Sequence, residues 1–252
     1  MTAALLPSSV TRRGLRRLFV IAAAGLLGLG VPQWVPRLLA TLPAFRVEHV
    51  TIVGTRYVPA DEINQLIALE PDASVWDRVD GIEDRIRQHP MIREAAVRRD
   101  GLRALSVVVV EKRPVALVAT PELRAVNGEG RVLPLEPFEA GLDLPVIQGV
   151  TTLEDDLVSD PDIREMASVL DRLGRADPGF ISVVSQVESA PDGYGFFMLP
   201  AADAGVVLLP RDETELALRR VSLALGQAEE EKVARADARF PAQVVLTPVE
   251  GR

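Results

Sequence analysis

The side chains that most often do chemistry are sparse in this chain. It holds two histidines, His49 and His89, and no cysteine. A disulfide framework and a thiolate metal site are therefore excluded. His49 falls in a segment rich in β-branched residues and His89 directly precedes Pro90. Capping and surface roles account for both better than a ligand pair does. Gly128-x-Gly130 is too short to cradle a phosphate and no Lys-Ser/Thr follows it. Neither Gly-x-Ser-x-Gly nor Ser-x-x-Lys occurs. With 36 acids in 252 residues, some carboxylates neighbour one another by chance, so acid pairs carry no weight without a pocket. The residues point to no catalytic reaction, metal, cofactor or small-molecule substrate. An exported hydrolase with an unrecognised site is the competing reading.

The charge is unevenly placed. Residues 1–44 hold five arginines and no acid; against a whole-chain charge of −8 this leaves −13 on residues 45–252. A body that acidic repels phosphate backbones, which argues against nucleic acid as a partner. Arg12, Arg13, Arg16 and Arg17 stand immediately before an apolar run, Leu18 to Val31. That run would make a helix of about 21 Å, short of a hydrocarbon core of about 30 Å. Extended through Leu42 it reaches about 37 Å, with Arg37 near enough to the far interface to snorkel and Trp34 at a belt position. Pro32 and Pro36 would bend or end it. The basic cluster predicts a cytoplasmic N-terminus and an exported body. The competing reading is a cleaved signal peptide, although Ala40 to Ala44 makes a poor cleavage site.

The expected organisation is a basic tail (1–17), a transmembrane anchor (18–42), a first folded unit (45–113), a second (115–249) and a short end (250–252). In the first unit, Phe45 to Val53 reads as a strand whose inward parity switches, which predicts a bulge near Glu48–His49; Gly54 ends it. Pro59 suits the first turn of a helix with Ile63, Leu66 and Ile67 on one face. A second helix starts at Asp80, with Asp80 and Glu83 as a capping box and Ile82 and Ile86 inward. Two strands follow, Ile92 to Arg99 and Leu102 to Glu111, joined by Asp100–Gly101 as a two-residue hairpin turn. The run from Leu105 to Val110 reads as a central strand covered on both faces. The order is β-α-α-β-β.

The second unit reads as a mixed sheet with helices. Strands are expected at Val115 to Ala119, Leu123 to Val126, Arg131 to Leu133, Ile181 to Val187, Tyr194 to Leu199 and Gly205 to Leu209. Helices are expected at Pro161 to Leu173 and Glu213 to Leu225, the latter with Leu216, Arg219 or Arg220, and Leu223 setting its faces. Glu229 to Lys232 reads as a solvated end. A last strand, Gln243 to Leu246, lies between Pro241 and Pro248, with little sequence after it to cover an open edge. Such an edge could accept a partner's strand; an ordinary paired strand is the plain alternative.

The ordered set Phe45-x-Val47, Ile52-x-Gly54, Ile92-x-x-Ala95-x-Val97-x-Arg99, Val107-x-Val109 and Glu111-Lys112-Arg113-Pro114-Val115-Ala116 resembles the FtsQ/DivIB cell-division family. So do Asn127-x-x-Gly130, Leu144-Pro145 with Gly149, and Ala236 to Phe240. There are departures: Ile92 stands where an aromatic or Val is usual, Asp100-Gly101 replaces Trp-Pro, and Ala238 replaces a larger apolar residue. The resemblance implies an α+β fold: a transmembrane helix, a POTRA-like domain, then a β domain with two or more helices. It implies a divisome scaffold in the cytoplasmic membrane at the septum. It also implies that the final strand receives a segment of FtsB from an FtsB–FtsL pair. Arg239, Phe240, Val244, Val245 and Leu246 would form that surface, Phe240 as apolar anchor and Arg239 meeting an acid on the partner. The POTRA-like unit would engage other divisome components. A POTRA-bearing assembly factor for envelope proteins is the remaining alternative.

Overall fold

The structure, a computed structural model, describes residues 35–228 and 233–249. Arg12, Arg13, Arg16, Arg17, residues 18–34 of the expected span, the 229–232 stretch and the last three residues lie outside them. Residues 35–40 are helical, and a short 3-10 turn, Pro43–Phe45, follows. Among the described residues no helix is long and apolar enough to cross a membrane. The described residues divide into two compact units between Val110 and Glu111.

The first unit runs β1 (His49–Val53), α1 (Ala60–Ile67), α2 (Asp80–Arg87), β2 (Ile92–Arg99) and β3 (Ala104–Glu111). This is the expected β-α-α-β-β order, with β3 between β1 and β2 and parallel to β1. The segment expected as one strand from Phe45 changes partner part-way. Val47 N–H donates to Ala73 O at 2.9 Å and Val75 N–H to Phe45 O at 2.9 Å, before β1 joins β3. At the junction the amides of Glu48 and His49 both reach Arg103 O, at 2.8 and 3.3 Å. Two amides on one carbonyl make a bulge at the pair where the inward parity changes.

Gly54 follows with φ +95°, and a Cβ there would sit 2.1 Å from Val109 O, so no other residue fits. Three details differ from expectation. The β2–β3 turn spans Asp100 to Arg103, because the Arg103 carbonyl serves β1 and β3 starts only at Ala104. The capping box is not formed: Val79 is the N-cap without a side-chain bond, and Glu83 Oε1 instead accepts the Val97 amide at 2.8 Å, stitching α2 to β2. On β3, Leu105, Val107 and Val109 are buried but the alternate residues are only half-buried, so one face is covered, not two.

The second unit contains β4 (Ala116–Ala119), β5 (Leu123–Val126), β6 (Val146–Val150), the small hairpin β7 (Leu153–Glu154) and β8 (Leu157–Val158), and helices α3 (Pro161–Ala176) and α4 (Pro178–Ser182). Then come β9 (Val184–Ala190), β10 (Gly193–Met198), β11 (Ala204–Pro210), α5 (Thr214–Gly226), β12 (Val233–Asp237) and β13 (Val245–Pro248). Eight strands form one mixed sheet in the order β13-β12-β11-β10-β9-β6-β4-β5. The β4–β6, β6–β9 and β11–β12 pairs are parallel; the β4–β5, β9–β10, β10–β11 and β12–β13 pairs are antiparallel. Helix α3 starts where the Asp160 carboxylate accepts the amides of Asp162 and Ile163, at 2.8 and 3.4 Å. It buries Ile163, Met166, Leu170 and Leu173 against the sheet.

The differences are local. Ile181 and Ser182 belong to α4 and not to a strand, because the Asp177 carboxylate accepts the Phe180 amide at 3.0 Å and starts a helical turn. Arg131 to Leu133 makes isolated bridges only. Helix α5 buries Thr214, Ala217, Leu218 and Val221, whereas Leu216 and Leu223 are exposed. The face read from the leucines is therefore the outer one.

Candidate partner-binding edge

The two margins of the large sheet are built differently. At one end β5 has four residues, and the chain returns over it: Leu133 N–H donates to Ala125 O at 2.8 Å and Val132 bridges Val126. At the other end β13 pairs with β12 on its inner side, and no strand lies beyond it among the described residues. In register, Asp237 faces Val245, Ala236 faces Leu246 and Arg235 faces Thr247. Val244 and Leu246 rest against the core, while Val245 is 45% exposed. Pro248 closes the strand; a residue without an N–H is tolerated on an outermost strand. The strand starts two residues later than expected, because the chain from Ala238 to Val244 is held as a turn with Ala242 at φ +60°.

Asp237 holds that turn. Its side chain is only 7% exposed. Oδ1 accepts the Arg239 backbone amide at 3.2 Å and Arg239 Nε at 3.0 Å; Oδ2 accepts Arg239 Nη2 at 2.8 Å and Arg235 Nη2 at 2.9 Å. Arg239 Nη1 reaches on to Pro191 O at 2.8 Å, tying the turn to the β9–β10 connection. The hydrogen bonds from the Arg239 side chain hold the Asp237 carboxyl below the usual carboxylate range, against the opposing effect of burial. Arg239 thus pairs fork to fork with a carboxylate of its own chain.

Phe240, next along, is 44% exposed at the turn. Arg220 of α5 reaches its carbonyl at 3.4 Å and that of Ala238 at 3.5 Å. The structure so brings Arg239, Phe240, Val244, Val245 and Leu246 into one hairpin. The spacing Arg235-x-Asp237-x-Arg239 was the overlooked signal: residues two apart on an extended chain share a face. Arg220 reads in the sequence only as a helix-face residue, because its turn partners lie 18 and 20 residues away.

Elsewhere the charged side chains serve the fold. A groove of about 690 Å³ in the first unit is lined by Arg46, Asp72, Asp77, Arg78 and Arg85. Within it, Arg85 donates to the last carbonyls of α1, Leu66 O and Ile67 O, and Asp77 accepts the Ser74 amide. His89 Nδ1 accepts the Met91 amide at 3.2 Å, which places the ring proton on Nε2, 3.0 Å from Glu62 Oε1. A second pocket, about 440 Å³ beside α5, is walled by apolar side chains such as Phe180, Met198 and Leu225.

A family model described as "POTRA domain, FtsQ-type" matches residues 45–112. Cell division protein FtsQ of Salinibacter ruber is 27% identical over 247 residues, covering 92% of each chain. That of Rhodothermus marinus is 29% identical, covering 94% of this chain and 88% of the relative. That of Myxococcus fulvus is also 29% identical, covering 83% and 74%. This chain carries an FtsQ-type POTRA domain and is similar to FtsQ cell division proteins along most of its length. The FtsQ-type POTRA match begins and ends with the β-α-α-β-β unit, at Phe45 and Lys112. The similarity to the FtsQ relatives runs well beyond it, over most of the second unit.

Proposed function

We propose that this FtsQ-type chain is a non-catalytic scaffold of the bacterial division machinery, which takes a strand of an FtsB-type partner along the free side of β13. The observation that carries this reading is the asymmetry of the sheet: its own chain closes one margin, and beyond the other, beside an exposed Phe240, no strand lies among the described residues. Main-chain hydrogen bonds to a free edge supply affinity, and alternating pockets supply selectivity. Phe240 supplies an aromatic anchor. Arg239 keeps the turn in shape through Asp237. The remaining assignments complete the picture: residues 1–17 as a cytoplasmic tail, 18–42 as the single span, and a body outside the cytoplasm at the septum, where the POTRA domain (45–113) meets further divisome components and the β domain (115–249) meets the FtsB–FtsL pair.

The test is capture of the cognate FtsB-type protein by the full chain, with localisation read in the same strains. Val245→Pro, on the outermost strand, and Phe240→Ala should each weaken capture at least tenfold with the fold retained, and the wild type should gather at midcell. Undiminished capture by both variants, or a uniform envelope signal from the wild type, contradicts the reading.

A further inference from the structure

The guanidinium that the fold leaves uncompensated at the partner edge is Arg220, not Arg239. Arg239 and Arg235 are both absorbed by the Asp237 carboxylate. They lie on the strand face opposite Ala236 and Ala238, which point into the core. Arg220 comes from α5 on the core side and reaches around to the same turn. Its Nε is buried with no acceptor, and its terminal nitrogens touch Phe240 O and Ala238 O only at 3.4 and 3.5 Å. No carboxylate lies within 4.0 Å of it among the described residues. Three facts therefore coincide: a half-buried cation, long and weak carbonyl bonds, and a position against the backbone of the exposed Phe240.

A partly desolvated charge without a counter-ion is unfavourable, and an incoming carboxylate relieves it. The side chain is already ordered, so little rotamer freedom is lost when the pair forms. The surrounding body is net acidic, so a cation held at this turn favours a negatively charged segment there. We infer that Arg220 is a specificity residue of the β13 edge: it receives an Asp or Glu that the partner segment places beside the residue covering Phe240. This rests on the strand-addition reading above and moves the charge contact expected of Arg239 to α5.

The experiment measures capture of the cognate FtsB-type partner by the full chain as a function of salt. Arg220→Gln keeps an amide donor for the turn carbonyls while removing the charge; it should weaken capture about tenfold at low salt and flatten its salt dependence. Arg220→Lys should retain much of the salt dependence. Arg220→Glu should be rescued by one acid-to-Lys change in the partner, and Arg239→Gln should not be rescued by any. Wild-type affinity and salt slope for Arg220→Gln, with Val245→Pro still blocking capture, overturn the role of Arg220 alone. Undisturbed capture by Val245→Pro overturns strand addition and this inference with it. A partner with no rescuing acid position also overturns it.

Discussion

At the scale of single residues, Asp237 links the fold to the candidate site. Its carboxylate joins the end of β12, through Arg235, to the turn before β13, through Arg239. Asp237→Asn keeps the shape but strands two guanidiniums. It should lower stability by about 2 kcal/mol, the usual range for a hydrogen bond to a charged group. The pH dependence has a definite sign. The folded carboxyl lies below its unfolded value of about 3.9, so its contribution is fully present above that value and fades as pH falls through the folded pKa. Urea titrations of wild type and Asp237→Asn should differ by a constant amount from pH 7 to 5 and converge below about pH 4. A constant gap down to pH 3 would mean that the charge is not what matters. The sequence contained this clamp in plain sight, but as charges two apart on a strand it reads as an ordinary solvated face. Only the turn after Asp237 folds Arg239 back onto the same carboxylate.

At the scale of elements, the first unit was legible almost throughout. Its helices carry their apolar residues at spacings of three and four, and Pro and Gly mark their limits. The second unit was less so, for reasons that can be named. Strand β6 is five residues long and two of them, Gln148 and Gly149, break its apolar pattern. Helix α5 carries long apolar side chains on two faces: Ala217, Leu218 and Val221 are buried, while Leu216 and Leu223 are exposed. Leu216 and Leu223, which mark the helix in the sequence, lie on its outer side. Leu218→Ala should therefore cost about 2–4 kcal/mol, as a buried truncation does. Leu223→Ala, 68% exposed, should stay within about 0.5 kcal/mol of wild type. Chemical denaturation of the two variants checks the assignment, and a larger loss at Leu223 would contradict it. The shift of β13 by two residues has the same origin: Val244 looks like a strand residue, but its backbone belongs to the turn.

At the scale of the whole molecule, the asymmetry of charge and the asymmetry of the sheet serve one arrangement. In the proposed arrangement the arginine cluster Arg12, Arg13, Arg16 and Arg17 orients the chain in the membrane with its acidic body outside. Replacing all four by Glu should reduce the fraction of chains whose C-terminal reporter is exported by several-fold; full export of that variant would remove the topological role of the cluster. The family resemblance could be read from the ordered motifs alone. Which sheet margin stays open could not, because it depends on the return of residues 131–133 over β5, far away along the chain. Hydrogen–deuterium exchange on the full chain tests the open margin most directly. Adding the cognate FtsB-type partner should slow exchange in the peptide spanning residues 243–249 more than in any other peptide of the β domain, and leave residues 123–126 unchanged. Unaltered exchange at 243–249 while the partner is demonstrably bound would contradict the account.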